Sequence, residues 1–281
     1  MKQRATASGK IILSGEYAVV FGYPGIAMPA PIGIQAIFEP SQQKNIELRW
    51  EDAPQEWLEY LGTIVERCGE LGAQKGKISI VNQIPLGKGM GSSTALVIGV
   101  TRAFLGQDCR TQALTVEDAV NPGHSGLDFA VIWEGKPVLF QKGETVQPIS
   151  LPASLLQGAL LIDTGTPNET TPELIAWVKE REQELMPHLK TIGECTERLA
   201  TGENLQSVLR DHHRAQVALG VVPEGVRKFI AEIERAGGAG KVLGAGARTG
   251  GGGIVLAIGN NDVGKNEKWK MENGWRIVAQ L

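Results

Sequence analysis

Pro85-Leu86-Gly87-Lys88-Gly89-Met90-Gly91-Ser92-Ser93-Thr94-Ala95 is the stretch on which the reading of this chain turns. Before it, Lys77-Ile78-Ser79-Ile80-Val81 alternates apolar with polar and predicts a strand over 77–81. After it, the apolar run from Ala95 to Phe104 predicts a helix over 92–105. A loop of glycines, serines and one lysine therefore joins a strand to a helix N-terminus. Glycine lets the backbone approach a ligand closely and adopt positive φ. The helix start adds unpaired N–H groups and the positive end of the dipole. Together they predict a phosphate site. The spacing is not that of a P-loop, because Lys88 lies inside the loop instead of directly before the serines. Nor is it a dinucleotide fingerprint, because Gly87, Gly89 and Gly91 alternate strictly.

Composition narrows the classes. The chain has 281 residues, of which 42% are hydrophobic and 21% charged, enough apolar residue for a substantial globular core. A net charge of −3 carries no basic excess for a nucleic-acid partner, so attraction to phosphate must be local. Cys68, Cys109 and Cys195 are odd in number and scattered, which argues against a disulfide framework or a zinc site. No run nears the roughly 18 apolar residues of a membrane span, and the first residues lack the apolar core of a signal peptide. The expectation is a cytoplasmic protein that enters no membrane.

Along the chain, short strands are expected at 10–14, 17–20, 25–28 and 33–38, with turns at Gly22-Tyr23-Pro24, Pro29 and Pro31. Residues 54–72 read as a helix. Asp128–Ile132 and Pro137–Gln141 read as a hairpin around Glu134-Gly135-Lys136. Composition shifts near 150. Beyond it come a buried strand at 159–163 and a helix from Pro172 with Thr171 as its cap. Helices over 182–200, 204–219 and 224–236, a glycine run at 244–253, a strand at 254–258 and a terminal strand near 275–278 follow. Two α+β halves result, with a site expected between them.

Three separated segments fit one pattern. Ala7-Ser8-Gly9-Lys10-Ile11-Ile12-Leu13-Ser14-Gly15-Glu16-Tyr17-Ala18-Val19-Val20 resembles the first motif of the GHMP kinases, loop 85–95 their second, and Lys241 to Gly253 their third, in the family's order across nearly the whole chain. The resemblance implies an α+β GHMP kinase fold. Its N-terminal unit, resembling ribosomal-protein S5 domain 2, would cover 1–152, and a ferredoxin-like unit 153–281, with ATP and Mg²⁺ between them. Within the family, Ser125-Gly126-Leu127-Asp128-Phe129-Ala130-Val131, the turn Thr164 to Thr170, and Asp211 to Val221 are similar to the mevalonate kinases. Two features depart from that branch. Tyr17 stands where a histidine is usual, and Ala247-Arg248-Thr249 interrupts the third glycine run.

The resemblance implies phosphorylation of mevalonate to 5-phosphomevalonate by ATP. Alternatives on the same scaffold are a phosphomevalonate kinase, another sugar or alcohol kinase, or a nucleotide sensor without turnover. Phosphoryl transfer asks mainly for positioning and charge neutralisation. Pro85, Gly87, Lys88, Gly89, Met90, Gly91, Ser92 and Ser93 are the expected ATP-binding residues. Ser93 and Glu117 are expected to hold Mg²⁺, with Asp118 as the competing carboxylate. Asp128 is the expected catalytic base, and Lys10 its partner, stabilising charge on the phosphoryl group. Tyr17, Ser125, Thr170 and Gly246 are expected to face the acceptor, and Glu16 either to do so or to pair structurally with a basic group. His212-His213 reads as a solvated or core-edge pair and not as a metal site, because neighbours on a helix point apart. The six tryptophans, Trp269 among them, read as packing residues. A homodimer is the family-based expectation.

Overall fold

The computed structural model describes residues 2–42, 45–259 and 274–281, so the packing expected of Trp269 lies outside the described residues. The chain opens with the long strands β1 (Gln3–Ser14) and β2 (Gly25–Pro40), joined through one short 3₁₀ turn at Ala18–Phe21. Then come β3 (Glu47–Trp50), α1 (Gln55–Glu70), β4 (Gly76–Asn82), α2 (Ser92–Leu105), α3 (Arg110–Val120), α4 (Leu127–Glu134), β5 (Val138–Phe140) and β6 (Gln147–Pro148). The remaining elements are β7 (Leu160–Asp163), α5 (Thr171–Glu180), α6 (Glu182–Ala200), α7 (Leu205–Ala218), α8 (Glu224–Arg235), β8 (Ala239–Val242), β9 (Ile254–Ile258) and β10 (Arg276–Gln280).

Two sheets result. The first runs β3-β4-β2-β5-β6, with β1 antiparallel on the other side of β2. The second is antiparallel in the order β10-β7-β9-β8, which is 4-1-3-2 in its own strand numbering, the ferredoxin-like order. One continuous core carries side chains of both: Leu13, Ile34 and Leu96 lie in the same cluster as Leu161, Leu243 and Leu256. Helix α2 crosses that core, which is why its sequence is apolar on nearly every side from Ala95 to Val100. Among the described residues no helix is long and apolar enough to cross a membrane.

The strand–loop–helix around the glycine loop forms as the local pattern predicts. Several expectations do not hold. Pro29 and Pro31 do not end a strand, because β2 runs through both, with Pro29 opposite Lys10 beside a register shift at Gly9. Tyr17–Val20 does not extend; Tyr17 takes φ 64° and the chain turns. Asp128–Ile132 is helical, not a hairpin strand. An eight-residue apolar run carries no decisive period, and left-handed glycines at 126 and 135 bound α4 while Leu127, Phe129, Ala130, Val131 and Ile132 are buried around it. The cap of α5 is Thr170, one residue earlier than expected, in a capping box with Glu173.

Because Leu96 is fully buried where α2 crosses the shared core, Leu96→Ala is expected to lower unfolding free energy by about 2–5 kcal/mol, measured by urea denaturation.

Candidate active site

The site grows from three short turns that meet. Gly91 caps α2 in the left-handed conformation, φ 73°, and no side chain caps the helix. The first N–H groups of α2 therefore point into the loop without an intrahelical partner. A Cβ on Gly91 would lie 2.9 Å from Lys10 Cγ and 3.5 Å from Asp128 Oδ2, so only glycine lets the phosphate loop, β1 and α4 converge. Lys10 Nζ lies 3.3 Å from Asp128 Oδ1, with Lys10 buried and Asp128 about a third exposed (3% and 35% of the side chains). The Lys10 N–H donates to the Met90 carbonyl at 2.9 Å, fixing β1 against the loop. Asp128 stands in the first turn of α4, where the helix dipole favours a carboxylate.

Glu117 comes from the buried face of α3. Thr94 Oγ1 donates to its Oε1 at 2.7 Å, while Oε2 is buried with no hydrogen-bond partner among the described residues. Burial pushes the Glu117 carboxyl up, Thr94 and Asn121 oppose that, and Asp128 adds to it. An orphaned, desolvated carboxylate oxygen beside a second carboxylate and the α2 hydroxyls suits a hard divalent cation, which completes its shell with waters and phosphate oxygens. Among the described residues no three His, Cys, Asp or Glu gather as a closed metal cage. Asp118 is the poorer ligand: it is exposed and sits 2.8 Å from His124 Nε2. Tyr60 also belongs here. Burial and then the Glu117 charge push its phenol up, while Asn121 and Ser93 pull it down.

The glycine loop is held from the other sheet. A Cβ on Gly89 would strike the Leu243 carbonyl, and one on Gly244 would meet the Gly89 backbone. Ile254 N–H donates to the Lys88 carbonyl at 3.1 Å. The third glycine run is thus seated on the second, backbone against backbone. Two loop residues expected at ATP are otherwise engaged. Lys88 Nζ binds both oxygens of Asp163, at 2.9 and 2.8 Å, and lines a cleft of about 460 Å³ with Asp163, Thr164, Val226 and Arg276 that the Lys10–Asp128 pair does not line. Gly87 N–H is taken by Ser92 Oγ at 3.2 Å. Met90 contributes a fully buried side chain to the core. Ser93 stays half-buried at the helix start, and Pro85 is half-buried where the loop begins.

The residues expected at the acceptor divide. Ser125 Oγ accepts from Leu127 N–H at 3.3 Å and so shapes the start of α4. Glu16 is no open substrate contact: it is buried against Lys241 of β8 and His212 of α7, with His212 Nε2 3.0 Å from Oε2. Lys241 also donates to the Ile12 carbonyl at 2.9 Å. Burial pushes Glu16 up, but Lys241 and then His212 outweigh it and hold the carboxyl at about 2. Burial and then the Lys241 charge lower His212, whose Nε2 accepts from the Gly15 N–H at 3.3 Å and faces Glu16 Oε2. His212 and His213 are therefore core residues, not a solvated pair. Tyr17 is buried and donates to the Ala245 carbonyl at 2.5 Å; burial, then the charges of Glu16 and Glu169, push its phenol upward. Thr170 spends its hydroxyl on the α5 cap. Gly246 makes a tight turn, φ 65°, against the Val221 carbonyl. Motif reading does not single out Tyr60, and it covers Thr94, Lys241 and His212 without giving their partners. For Thr94 the signal was available, since it is the next residue of the loop motif.

Comparison with known proteins follows this geometry. The family model described as the GHMP kinases N terminal domain matches residues 59–131. The mevalonate kinase of Pyrococcus furiosus is 26% identical over 310 aligned positions, covering 93% of this chain and 90% of the relative. The crystal structure of the Methanococcus jannaschii mevalonate kinase superposes with a TM-score of 0.79 at 21% identity, covering 99% of this chain and 96% of that one. The Streptococcus pneumoniae phosphomevalonate kinase structure gives 0.75 at 15% identity, covering 100% and 99%.

His213 is held down to about 4 from an ordinary 6.5, first by burial and then by His212 and Arg214. The unfolded chain takes up that proton at a higher pH than the folded one, so this stability is full above the ordinary value and fades as pH falls toward 4. His213→Leu is expected to flatten the drop in melting temperature across that window; an unchanged slope would show that His213 does not carry it.

Proposed function

We propose, from the premise that the chain belongs to the GHMP kinase family, that it transfers the γ-phosphoryl group of ATP to the primary hydroxyl of mevalonate, giving 5-phosphomevalonate, in a cytoplasmic setting. One observation carries the chemistry: Lys10 and Asp128 are paired at 3.3 Å beside the uncapped start of α2. The first turn of α2 would receive the phosphates. Asp128 would accept the proton of the acceptor hydroxyl as the new P–O bond forms and the bond to ADP breaks. Lys10, buried and aimed by the Gly9 bulge and the Met90 carbonyl, would stabilise charge on the transferred group. Ser93 and Glu117 would hold Mg²⁺, which supplies neutralisation of the phosphate oxygens. Mevalonate as acceptor rests on the relatives named above and on the segments at 125–131 and 211–221. A phosphomevalonate acceptor is the second reading, favoured by Tyr17 in place of histidine.

An ADP-release assay with Mg·ATP and mevalonate, 5-phosphomevalonate, galactose and homoserine tests this. Turnover with mevalonate alone is expected; turnover with 5-phosphomevalonate alone moves the protein to the second reading, and ATP binding without any turnover makes it a sensor. Asp128→Asn is expected to lower kcat by about 10²–10⁴-fold while the Kd for ATP holds. Lys10→Met should reduce kcat more than it raises KM, and an effect on KM alone would remove Lys10 from the transition state. For Glu117→Gln, the expected change is a higher Mg²⁺ concentration at half-maximal rate, read by Mg²⁺ titration at saturating ATP.

A further inference from the structure

The segment Ala247-Arg248-Thr249 interrupts the third glycine run, and the structure shows what it builds. The Glu169 carboxylate accepts from the N–H groups of Arg248 and Thr249 at 3.0 and 3.2 Å, and from Thr249 Oγ1 at 2.7 Å. Asn168 Nδ2 donates to Thr249 Oγ1 at 3.2 Å, and Pro167 bridges to Gly250. On the other flank, Ala247 N–H donates to the Val221 carbonyl at 3.0 Å, and the Ala245 carbonyl accepts from Tyr17. The insertion is therefore tied on both sides. Its one long side chain, Arg248, lies over the Trp177 ring, 4.7 Å from its centroid, and has no carboxylate partner among the described residues. Glu169 spends its oxygens on the loop backbone and on Thr249, leaving the guanidinium exposed and without a carboxylate among the described residues.

The place of this cation matters. Gly244 touches Gly89 of the phosphate loop, and four residues of chain span at most about 14 Å. The Arg248 backbone thus lies within about 14 Å of the glycine loop, beside the 164–170 turn that accepts its N–H and the Trp177 face of α5. An arginine fixed by its backbone and by a ring face, with its donors unspent, is suited to take a carboxylate in bidentate geometry.

We propose that Arg248 is a specificity-determining residue that binds the carboxylate at the far end of the acceptor from the hydroxyl being phosphorylated, selecting hydroxy acids over neutral alcohols. This rests on the kinase reading above. The test compares the native protein with Arg248→Ala and Arg248→Lys, using mevalonate and 3-methylpentane-1,3,5-triol, in which the carboxylate is replaced by a neutral alcohol. The native protein is expected to favour mevalonate by about 10- to 100-fold in kcat/KM, the usual range for a charge-assisted contact. Arg248→Ala should raise the KM for mevalonate by a similar factor, leave the triol and the KM for ATP unchanged, and so abolish the preference. Arg248→Lys should restore part of it. An unchanged KM for mevalonate in Arg248→Ala overturns the proposal, as does an equal loss for both acceptors. If the native protein turns over neither, the kinase reading fails separately, and calorimetric titration with mevalonate still decides: equal affinity for native protein and Arg248→Ala sinks the assignment.

Discussion

The buried ion pair between Glu16 and Lys241 is the contact on which the rest of the molecule leans. It joins the turn after β1 to β8, and hence the first sheet to the second. Lys241 gives another hydrogen to the Ile12 carbonyl, and His212 meets Glu16 from α7, so three elements close on one carboxylate. Such a pair adds little net stability over an apolar substitute, yet removing one partner costs about 3–5 kcal/mol because the other is left charged and dry. Its effect is therefore on geometry. It ties the turn after β1 to β8 in the seating that brings the third glycine run onto the glycine loop.

That seating explains the chemistry available at the seam. Lys10 lies two residues before Ile12 on β1, so the clamp that holds Ile12 also holds the strand carrying the ammonium. Glycine at 89 and 244 lets two backbones touch where any side chain would part them. Lys88, crossing to Asp163, adds a second charged tie between the sheets. The Lys10–Asp128 pair and the Glu117 carboxylate are then arranged around the start of α2. Arg248 is held beside Trp177 because the insertion that carries it is bonded to the turn after β7.

Reading by pattern worked where structure follows contiguous sequence. The strand before the loop at 85–95 and the helix after it were legible because local periodicity and glycine spacing carry that information. It failed where one residue's role depends on a distant one. Glu16 and Tyr17 look like acceptor contacts beside a motif, but their partners, Lys241 and Ala245, are 225 and 228 residues away. His212, read as one of a solvated or core-edge pair, likewise meets its partner Glu16 only across the fold.

The sequence alone determined the strand–loop–helix around the glycine loop and the family resemblance, since each depends on short-range pattern. Only the tertiary structure decided that 127–134 is a helix, that β2 passes through two prolines, and that the first motif's glutamate is sealed in the core. Those outcomes depend on burial and on which charges meet, and both arise only once the sheets are packed together.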